Sequence, residues 1–143
     1  FTQGEDQCLA SMVPDLPVAP EDSQRLMVEG TLADIIEEQF RRTFAQLGIT
    51  EVDFFPAARA DDLPPVGSGT RVLLAQPYLS DTVSALCKRG AKLVSAPYPL
   101  GVEGTLAWFQ AAAAEWGHSA EAVQEALAIP MARALRARRL RLA

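Results

Sequence analysis

Residues 25–48 have the sequence RLMVEGTLADIIEEQFRRTFAQLG, in which a short apolar run is followed by a longer stretch with helical spacing. The run Arg25-Leu26-Met27-Val28 predicts a buried strand. The apolar residues after it recur on one helical face, and they are Leu32, Ile35, Ile36, Phe40, Phe44 and Leu47. Gly48 predicts the end of this helix. The spacing of Thr31 and Asp34 predicts a capping box at its start, in which each side chain bonds a free backbone amide.

The same plan of strand followed by helix recurs along the chain. Further strands are predicted at residues 52–55, 71–76 and 92–96, and helices are predicted to begin at Ser80, near Thr105 and near Ser119. This alternation predicts a small open α/β fold, a mainly parallel four-stranded sheet flanked by helices, with strand order 2-1-3-4 and right-handed crossovers. We expect a lead-in helix and linker over residues 1–24, a Rossmann-like domain over 25–117 and a helical, arginine-rich segment over 118–143.

Composition excludes some classes of protein and names no activity. The chain has 143 residues, a formal net charge of −5 and 49% hydrophobic residues, which is typical of one globular domain. It has no apolar run of the roughly 18 residues that a membrane span needs, and it starts at Phe1 without a basic-then-apolar leader. The start at Phe1 predicts an excised or processed segment. Two cysteines are too few for a disulfide framework or for a metal or iron–sulfur site built by this chain alone, and they favour a reducing, cytosolic compartment.

Few residues suggest catalytic chemistry. The single histidine, His118, falls at a helix boundary, and no serine–histidine–aspartate triad can be assembled around it. Gly30 stands alone where a dinucleotide-binding turn needs three spaced glycines, and no lysine follows in the P-loop position. Glu5, Asp6 and Glu103 are candidates for acid–base carboxylates if the fold brings them together, or for helix caps if it does not.

Two pairs of residues have competing interpretations. Cys8 and Cys87 fall on helical stretches and are predicted to be small core residues. Tyr78 and Tyr98 each follow a proline just past a strand, where ligands of open α/β folds bind. Their rings either line the site of a flat hydrophobic ligand or form a hydrophobic lid.

The last 13 residues are rich in arginine, and the arginines are Arg133, Arg136, Arg138, Arg139 and Arg141. One hypothesis is that this tail contacts phosphates or an acidic partner. The other is that the arginines are solvated on a helix whose apolar stripe packs inward. The second is favoured, because no aromatic residues are interleaved with the arginines for base stacking.

Several strings together are more specific than any residue alone. They are FTQGED at residues 1–6, GTLAD at 30–34 with EQF at 38–40, LPPVG at 63–67, LAQPYL at 74–79 and APYPLGVEG at 96–104. In their order and spacing they resemble the N subunit of light-independent (dark-operative) protochlorophyllide reductase. The resemblance extends from residue 1 to about residue 117 and is weaker over the last helix.

This resemblance implies a nitrogenase-like oxidoreductase of chlorophyll and bacteriochlorophyll synthesis. In that family an ATP-hydrolysing iron–sulfur protein passes electrons to a heterotetramer of two N and two B subunits. A [4Fe-4S] cluster at the N/B interface delivers them to protochlorophyllide, whose C17=C18 bond is reduced. The resemblance also implies the cytoplasm of a photosynthetic prokaryote or the plastid stroma as the location.

The resemblance covers only part of the family's N subunit. The family's cluster cysteines precede the FTQGED string and its proton-donating aspartate comes from the B subunit, so neither lies in this chain. Cys8 and Cys87 do not match the ligand positions. We therefore expect the middle one of three similar α/β domains, inactive alone, with no catalytic residue and no metal ligand of its own.

Strand-end geometry gives the candidate substrate-binding residues, which are Gln3, Gln76, Tyr78, Tyr98 and Leu100. Two features depart from the family pattern: Glu29 stands where an apolar residue is usual, and Pro56-Ala57-Ala58-Arg59 stands where a Pro-Pro-Arg loop is usual. Two alternatives stay open. An apolar pocket closed within the chain would favour a free-standing small-ligand module, and salt-sensitive binding would favour an interaction protein that uses the arginine tail.

Overall fold

A computed structural model describes residues 3–21, 23–56 and 63–128 of the chain. Its centre is a four-stranded, all-parallel sheet with the strand order β2-β1-β3-β4. The strands are β1 (Arg25–Glu29), β2 (Val52–Phe55), β3 (Thr70–Leu74) and β4 (Lys92–Leu93). The predicted fold class and strand order are thereby confirmed.

Helices cover both faces of this sheet. They are α1 (Gln3–Met12), α2 (Asp34–Gln46), α3 (Ser80–Lys88) and α4 (Gly101–Ala114), with a short 3-10 helix at Val13–Asp15 after α1. Residues 120–128 are also helical. The buried residues of α1 and α3 form one cluster with the sheet, and those of α2, α4 and residues 120–128 form the other. We call these two layers the α1/α3 face and the aromatic face. No helix within the described ranges has the length and apolarity to cross a bilayer.

The aromatic face is packed by four rings that contact one another. Phe40 and Phe44 of α2 and Trp108 and Phe109 of α4 have ring centroids 4.8–5.7 Å apart. The Trp108 indole N–H donates a 2.8 Å hydrogen bond to the Leu74 carbonyl, so its one polar atom is satisfied within an apolar core. This anchors α4 to the end of β3.

The predicted boundaries of α2 are half right. Its end is confirmed: Gly48 has φ +78, and the amides of Gly48 and Ile49 close onto the carbonyls of Ala45 and Phe44 at 3.0 and 2.9 Å. The predicted capping box is wrong. The residue before the helix is Ala33, whose methyl side chain cannot cap it. Thr31 lies two residues earlier, and its backbone N–H and carbonyl are bonded to the Gln76 side chain.

Other boundaries also differ from the prediction. β3 ends at Leu74 and not at residue 76. β4 ends at Leu93 and not at residue 96, because it is an edge strand that pairs with β3 at only two positions. α4 begins at Gly101, earlier than the predicted Thr105. A Cβ atom on Gly104 would lie 2.9 Å from the Tyr98 carbonyl oxygen, so the first turn of α4 lies against the preceding loop and needs a glycine there. Gly101 and Gly104 disfavour a helix by local propensity, but the close packing of this turn against the loop before it requires a glycine at position 104.

Candidate functional site

All four strands are parallel, so their carboxyl ends lie at one edge of the sheet. We call this the carboxyl edge, formed by residues 30–33, 75–79 and 94–100. Ligands of open α/β folds bind outside such an edge. Four of the five predicted substrate-binding residues follow β3 or β4 and lie there.

Gln76 ties two segments of the carboxyl edge together. Its amide nitrogen donates to the Thr31 carbonyl at 2.9 Å, and its amide oxygen accepts from the Thr31 N–H at 3.1 Å. Gly30 has φ +147 and lies so close that a Cβ atom there would be 3.2 Å from the Gln76 side chain. The Gln76 amide therefore positions the turn between β1 and α2.

Tyr78 and Tyr98 line the same groove. The groove has a volume of about 520 Å³, is open to solvent, and is lined by the Leu74 and Leu93 ends of β3 and β4 and by α3 residues that include Cys87. Tyr78 has φ +66, a backbone conformation that residues other than glycine rarely adopt, and the residue is 74% exposed. The open shape does not match the closed pocket that a free-standing ligand module would need.

Further apolar side chains are exposed at this edge. Leu100, which precedes α4, is 78% exposed, and Ile35 in the first turn of α2 is also exposed. Isolated exposed apolar residues are ordinary, but Tyr78 and Leu100 lie on two different segments of the carboxyl edge, and Ile35 lies just beyond its third segment. Gln3 begins α1, and its side chain lies outside the described part of the chain.

The candidate acid–base carboxylates are not brought together. Asp6 belongs to α1 on one face of the sheet, and Glu103 belongs to the exposed first turn of α4 on the other. Asp6 instead caps a distant helix: its carboxylate accepts hydrogen bonds from the amides of Asp81 and Thr82 at 2.9 Å and from the Thr82 hydroxyl at 2.6 Å. The helix-cap interpretation of Asp6 is confirmed, at α3 rather than at its own helix.

Glu29 is the ionisable residue whose surroundings the sequence did not indicate. As the last residue of the central strand it is completely buried, at 0% exposure, and neither carboxyl oxygen has a hydrogen-bond partner among the described residues. Burial, reinforced by the negative charge of Asp6, raises the pKa of Glu29 to about 8. The sequence carried two signals: an acidic residue directly after the run Leu26-Met27-Val28, and a departure from the apolar residue that is usual at this position in the resembled family.

The two cysteines were predicted to lie in the core, and this is wrong, because both are exposed. Leu9 and Leu86 next to them take the interior positions on α1 and α3. Within residues 3–21, 23–56 and 63–128, no three His, Cys, Asp or Glu side chains are grouped so as to hold a metal ion. Two surface thiols do not fit a [4Fe-4S] cluster, which takes four ligands.

His118 is exposed and lies at the start of the helical residues 120–128, as predicted. Of the expected 118–143 segment, Val123 and Leu127 are buried in the aromatic face. The five arginines of the tail and the loop at residues 57–62 lie outside the described residues.

Comparison with known proteins gives consistent matches to one subunit. The chain is 53% identical over 134 residues to the light-independent protochlorophyllide reductase subunit N of Halorhodospira halophila, a match that covers 94% of the chain. The subunit of the same name from Bradyrhizobium sp. BTAi1 is 54% identical over 138 residues, or 96% of the chain. This chain is homologous to part of the reductase N subunit.

The predicted resemblance to the N subunit is thus confirmed, and it extends past the expected limit near residue 117. A third N subunit, from Rhodopseudomonas palustris BisB5, is 56% identical over 117 residues and matches 82% of the chain. The chain spans 27–32% of the length of these three relatives. No family model matches the chain.

Proposed function

We propose that this chain is a domain of the N subunit of an ATP-dependent, light-independent protochlorophyllide reductase and that its carboxyl edge faces the pigment. The observation that carries the proposal is the 53% identity to one such subunit over 134 residues. Homology at this level implies a shared fold and favours a shared role.

The exposed side chains of the carboxyl edge support the second part of the proposal. Protochlorophyllide is a flat, largely apolar ring system, which aromatic and aliphatic side chains can contact. Tyr78 and Tyr98 line one open groove, and Leu100 lies exposed just before α4. Gln3, the fifth predicted residue, is proposed for the same surface. Gln76 acts there by fixing the turn at Thr31.

The complete enzyme is proposed from the family alone. We propose that the chain works beside the B subunit in an N2B2 heterotetramer, in the cytoplasm of a photosynthetic prokaryote or the plastid stroma. An ATP-hydrolysing iron–sulfur protein would supply the electrons. The [4Fe-4S] cluster would be held by residues outside this chain, since Cys8 and Cys87 do not match the family's ligand positions and the described residues hold no group of metal ligands. The domain alone is expected to be inactive.

A segment exchange tests the assignment. The chain would replace the matched segment of the Halorhodospira halophila N subunit, and the chimera would be assayed for B-subunit binding and for ATP-dependent pigment reduction in the dark. The control reinserts the native segment through the same junctions. We expect binding and turnover from both proteins. A soluble chimera that binds the B subunit without turnover, or that does not bind it, would contradict the proposal.

Two exposed apolar residues test the carboxyl edge within an active chimera. Leu100 is 78% exposed at that edge, whereas Val18 is 80% exposed and pairs with Val66, near the opposite end of β3. We expect Leu100→Ser to raise the KM for protochlorophyllide several-fold and Val18→Ser to leave it unchanged. Equal KM values for the two variants would show that the carboxyl edge does not contact the pigment.

A further inference from the structure

Glu29 has no hydrogen-bonding or ionic partner within the described part of the chain. A buried carboxylate usually needs such partners to replace its hydration. Its neighbours across the sheet are Phe55 of β2 and Leu74 of β3. Side chains alternate along a strand, so Glu29 shares the α1/α3 face with Met27. A carboxylate in such surroundings loses its hydration and gains nothing in return, whereas a protonated carboxyl is neutral.

The negative charge of Asp6 makes ionisation of Glu29 harder. Burial alone would raise the pKa of Asp6, but hydrogen bonds from the Thr82 side chain and from the Asp81 and Thr82 amides outweigh burial and lower it. Asp6 is therefore ionised at neutral pH. Its negative charge is among the causes that hold the pKa of Glu29 high.

Among the described residues, Arg25 and Arg89 are basic groups that could balance a Glu29 carboxylate, and both are engaged elsewhere. Arg25 lies on the same face of β1, about 13 Å along the strand, and is paired with Asp53 at 2.9 Å and Glu51 at 3.2 Å. Arg89, which follows α3, donates to the carbonyls of Val13 and Leu16 at 2.7 and 2.9 Å.

The other described ionisable groups of these elements are either exposed or paired. Lys88 lies in the last turn of α3, at the opposite end from the Asp6 cap, and is exposed. Asp81 of α3 and Glu5 of α1 are acidic and exposed. Arg71 of β3 is paired with Glu115 at 3.4 Å.

We propose that α1 stays packed against α3 and the sheet only while Glu29 is protonated and uncharged, and that loss of this proton lifts α1 away. α1 is the element that moves because it is outside the sheet, packs against α3 and carries the like charge of Asp6. The movement breaks the Asp6 cap on α3. It also reaches the carboxyl edge, because the Glu29 carbonyl accepts the Ala75 N–H at 2.8 Å and Gly30 follows directly in the chain. This inference is independent of the proposed function.

The two native cysteines provide the test. Cys8 on α1 and Cys87 on α3 are both exposed, so a spin label on each reports the separation of the two helices in the full chain. Pulsed electron paramagnetic resonance would be recorded from pH 6 to 9.5. We expect a second population at longer distance, with a midpoint within about one unit of pH 8. Far-ultraviolet circular dichroism should stay unchanged over this range.

Variants of Glu29 decide whether ionisation of that residue controls the separation of α1 and α3. Glu29→Gln is uncharged at every pH and should abolish the longer-distance population, while Glu29→Asp should retain it. Glu29→Leu serves the same purpose if the glutamine variant does not fold. A constant distance in the unsubstituted chain, an identical transition in the Gln or Leu variant, or loss of the dichroism signal together with the transition would overturn the proposal.

Discussion

The two faces of the sheet hold their helices in different ways. The aromatic face is closed by four contacting rings, and Trp108 has its one polar atom satisfied by Leu74. The α1/α3 face buries two carboxyl groups: from the described residues Asp6 receives several hydrogen bonds and Glu29 receives none. Apolar packing is insensitive to pH, whereas a buried carboxyl ties the stability of its surroundings to its protonation state. One small domain can therefore have one face whose packing does not depend on pH and another whose packing does.

The aromatic face should give the largest loss of stability. Trp108→Ala removes a fully buried indole from contact with Phe40, Phe44 and Phe109. We expect the free energy of unfolding in urea to fall by about 4 kcal/mol, equally at pH 5 and pH 9. Trp116→Ala is the control, since Trp116 is only partly buried against the same cluster. A loss for Trp116→Ala as large as that for Trp108→Ala would contradict this account.

Replacement of Glu29 should give a gain that depends on pH. The pKa of Glu29 is about 8 in the fold against 4.5 for an unperturbed glutamate, so keeping the proton at pH 7 costs about 3 kcal/mol. Because the pKa of Glu29 is higher in the folded than in the unfolded chain, the contribution of Glu29 to stability is most favourable below pH 4.5 and falls until about pH 8. Glu29→Leu should therefore be more stable at pH 7 by up to about 3 kcal/mol and should lack this slope.

Urea unfolding at pH 5, 7 and 9 measures this effect. The control is Glu38→Leu, which removes an exposed carboxylate from the Glu38–Arg42 pair of α2 and should change stability by less than about 0.5 kcal/mol. Parallel pH profiles for the unsubstituted chain and Glu29→Leu would show that Glu29 ionises normally.

Loss of the Asp6 cap should change the free energy of unfolding less than Trp108→Ala or Glu29→Leu does. Asp6→Ala leaves the amides of Asp81 and Thr82 without their acceptor, and we expect a loss of about 2 kcal/mol at pH 7. The pKa of Asp6 is lowered in the fold, so this contribution is present above pH 3.8 and is lost as the pH falls through the lower folded value. The profile of the variant should be flatter on its acid side.

An exposed first-turn acid provides the comparison for Asp6. Asp34 occupies the first turn of α2, is exposed, and should cost only about 0.3 kcal/mol when changed to Ala. Both variants would be unfolded by urea at pH 7. Similar losses for the two would mean that burial of the Asp6 cap adds nothing.

The Gln76 bridge should have the smallest effect on global stability. Gln76→Ala removes both hydrogen bonds to Thr31 and should cost about 1 kcal/mol, with at least five-fold faster hydrogen exchange at the Thr31 amide. Gln24→Ala removes a single bond to the Glu115 carbonyl and should leave that exchange unchanged. Unaltered exchange in Gln76→Ala would show that the turn holds without the bridge.

Local patterns in the sequence predict the fold and part of the carboxyl edge. Strand and helix periodicity, together with the rules for crossover connections, predicted a mainly parallel sheet with the observed strand order, and Gly48 predicted the end of α2. The structure shows that all four strands are parallel. Tyr78 and Tyr98 were predicted near one another because parallel strands end at one edge. These are properties of period, chain direction and backbone conformation, which a short window of sequence contains.

The tertiary structure alone decided the polar interactions between distant segments. The spacing of Thr31 and Asp34 suggests a cap, yet Thr31 is held by Gln76, 45 positions away. Asp6 caps a helix whose capped amides lie 75 and 76 positions along the chain, and Glu29 is buried on the face of the sheet that α1 and α3 cover. The sequence by itself therefore determined which segments form strands and helices, since periodicity is local. Which polar groups meet, and which of the described ones is left without a partner, depended on packing between segments that no local pattern records.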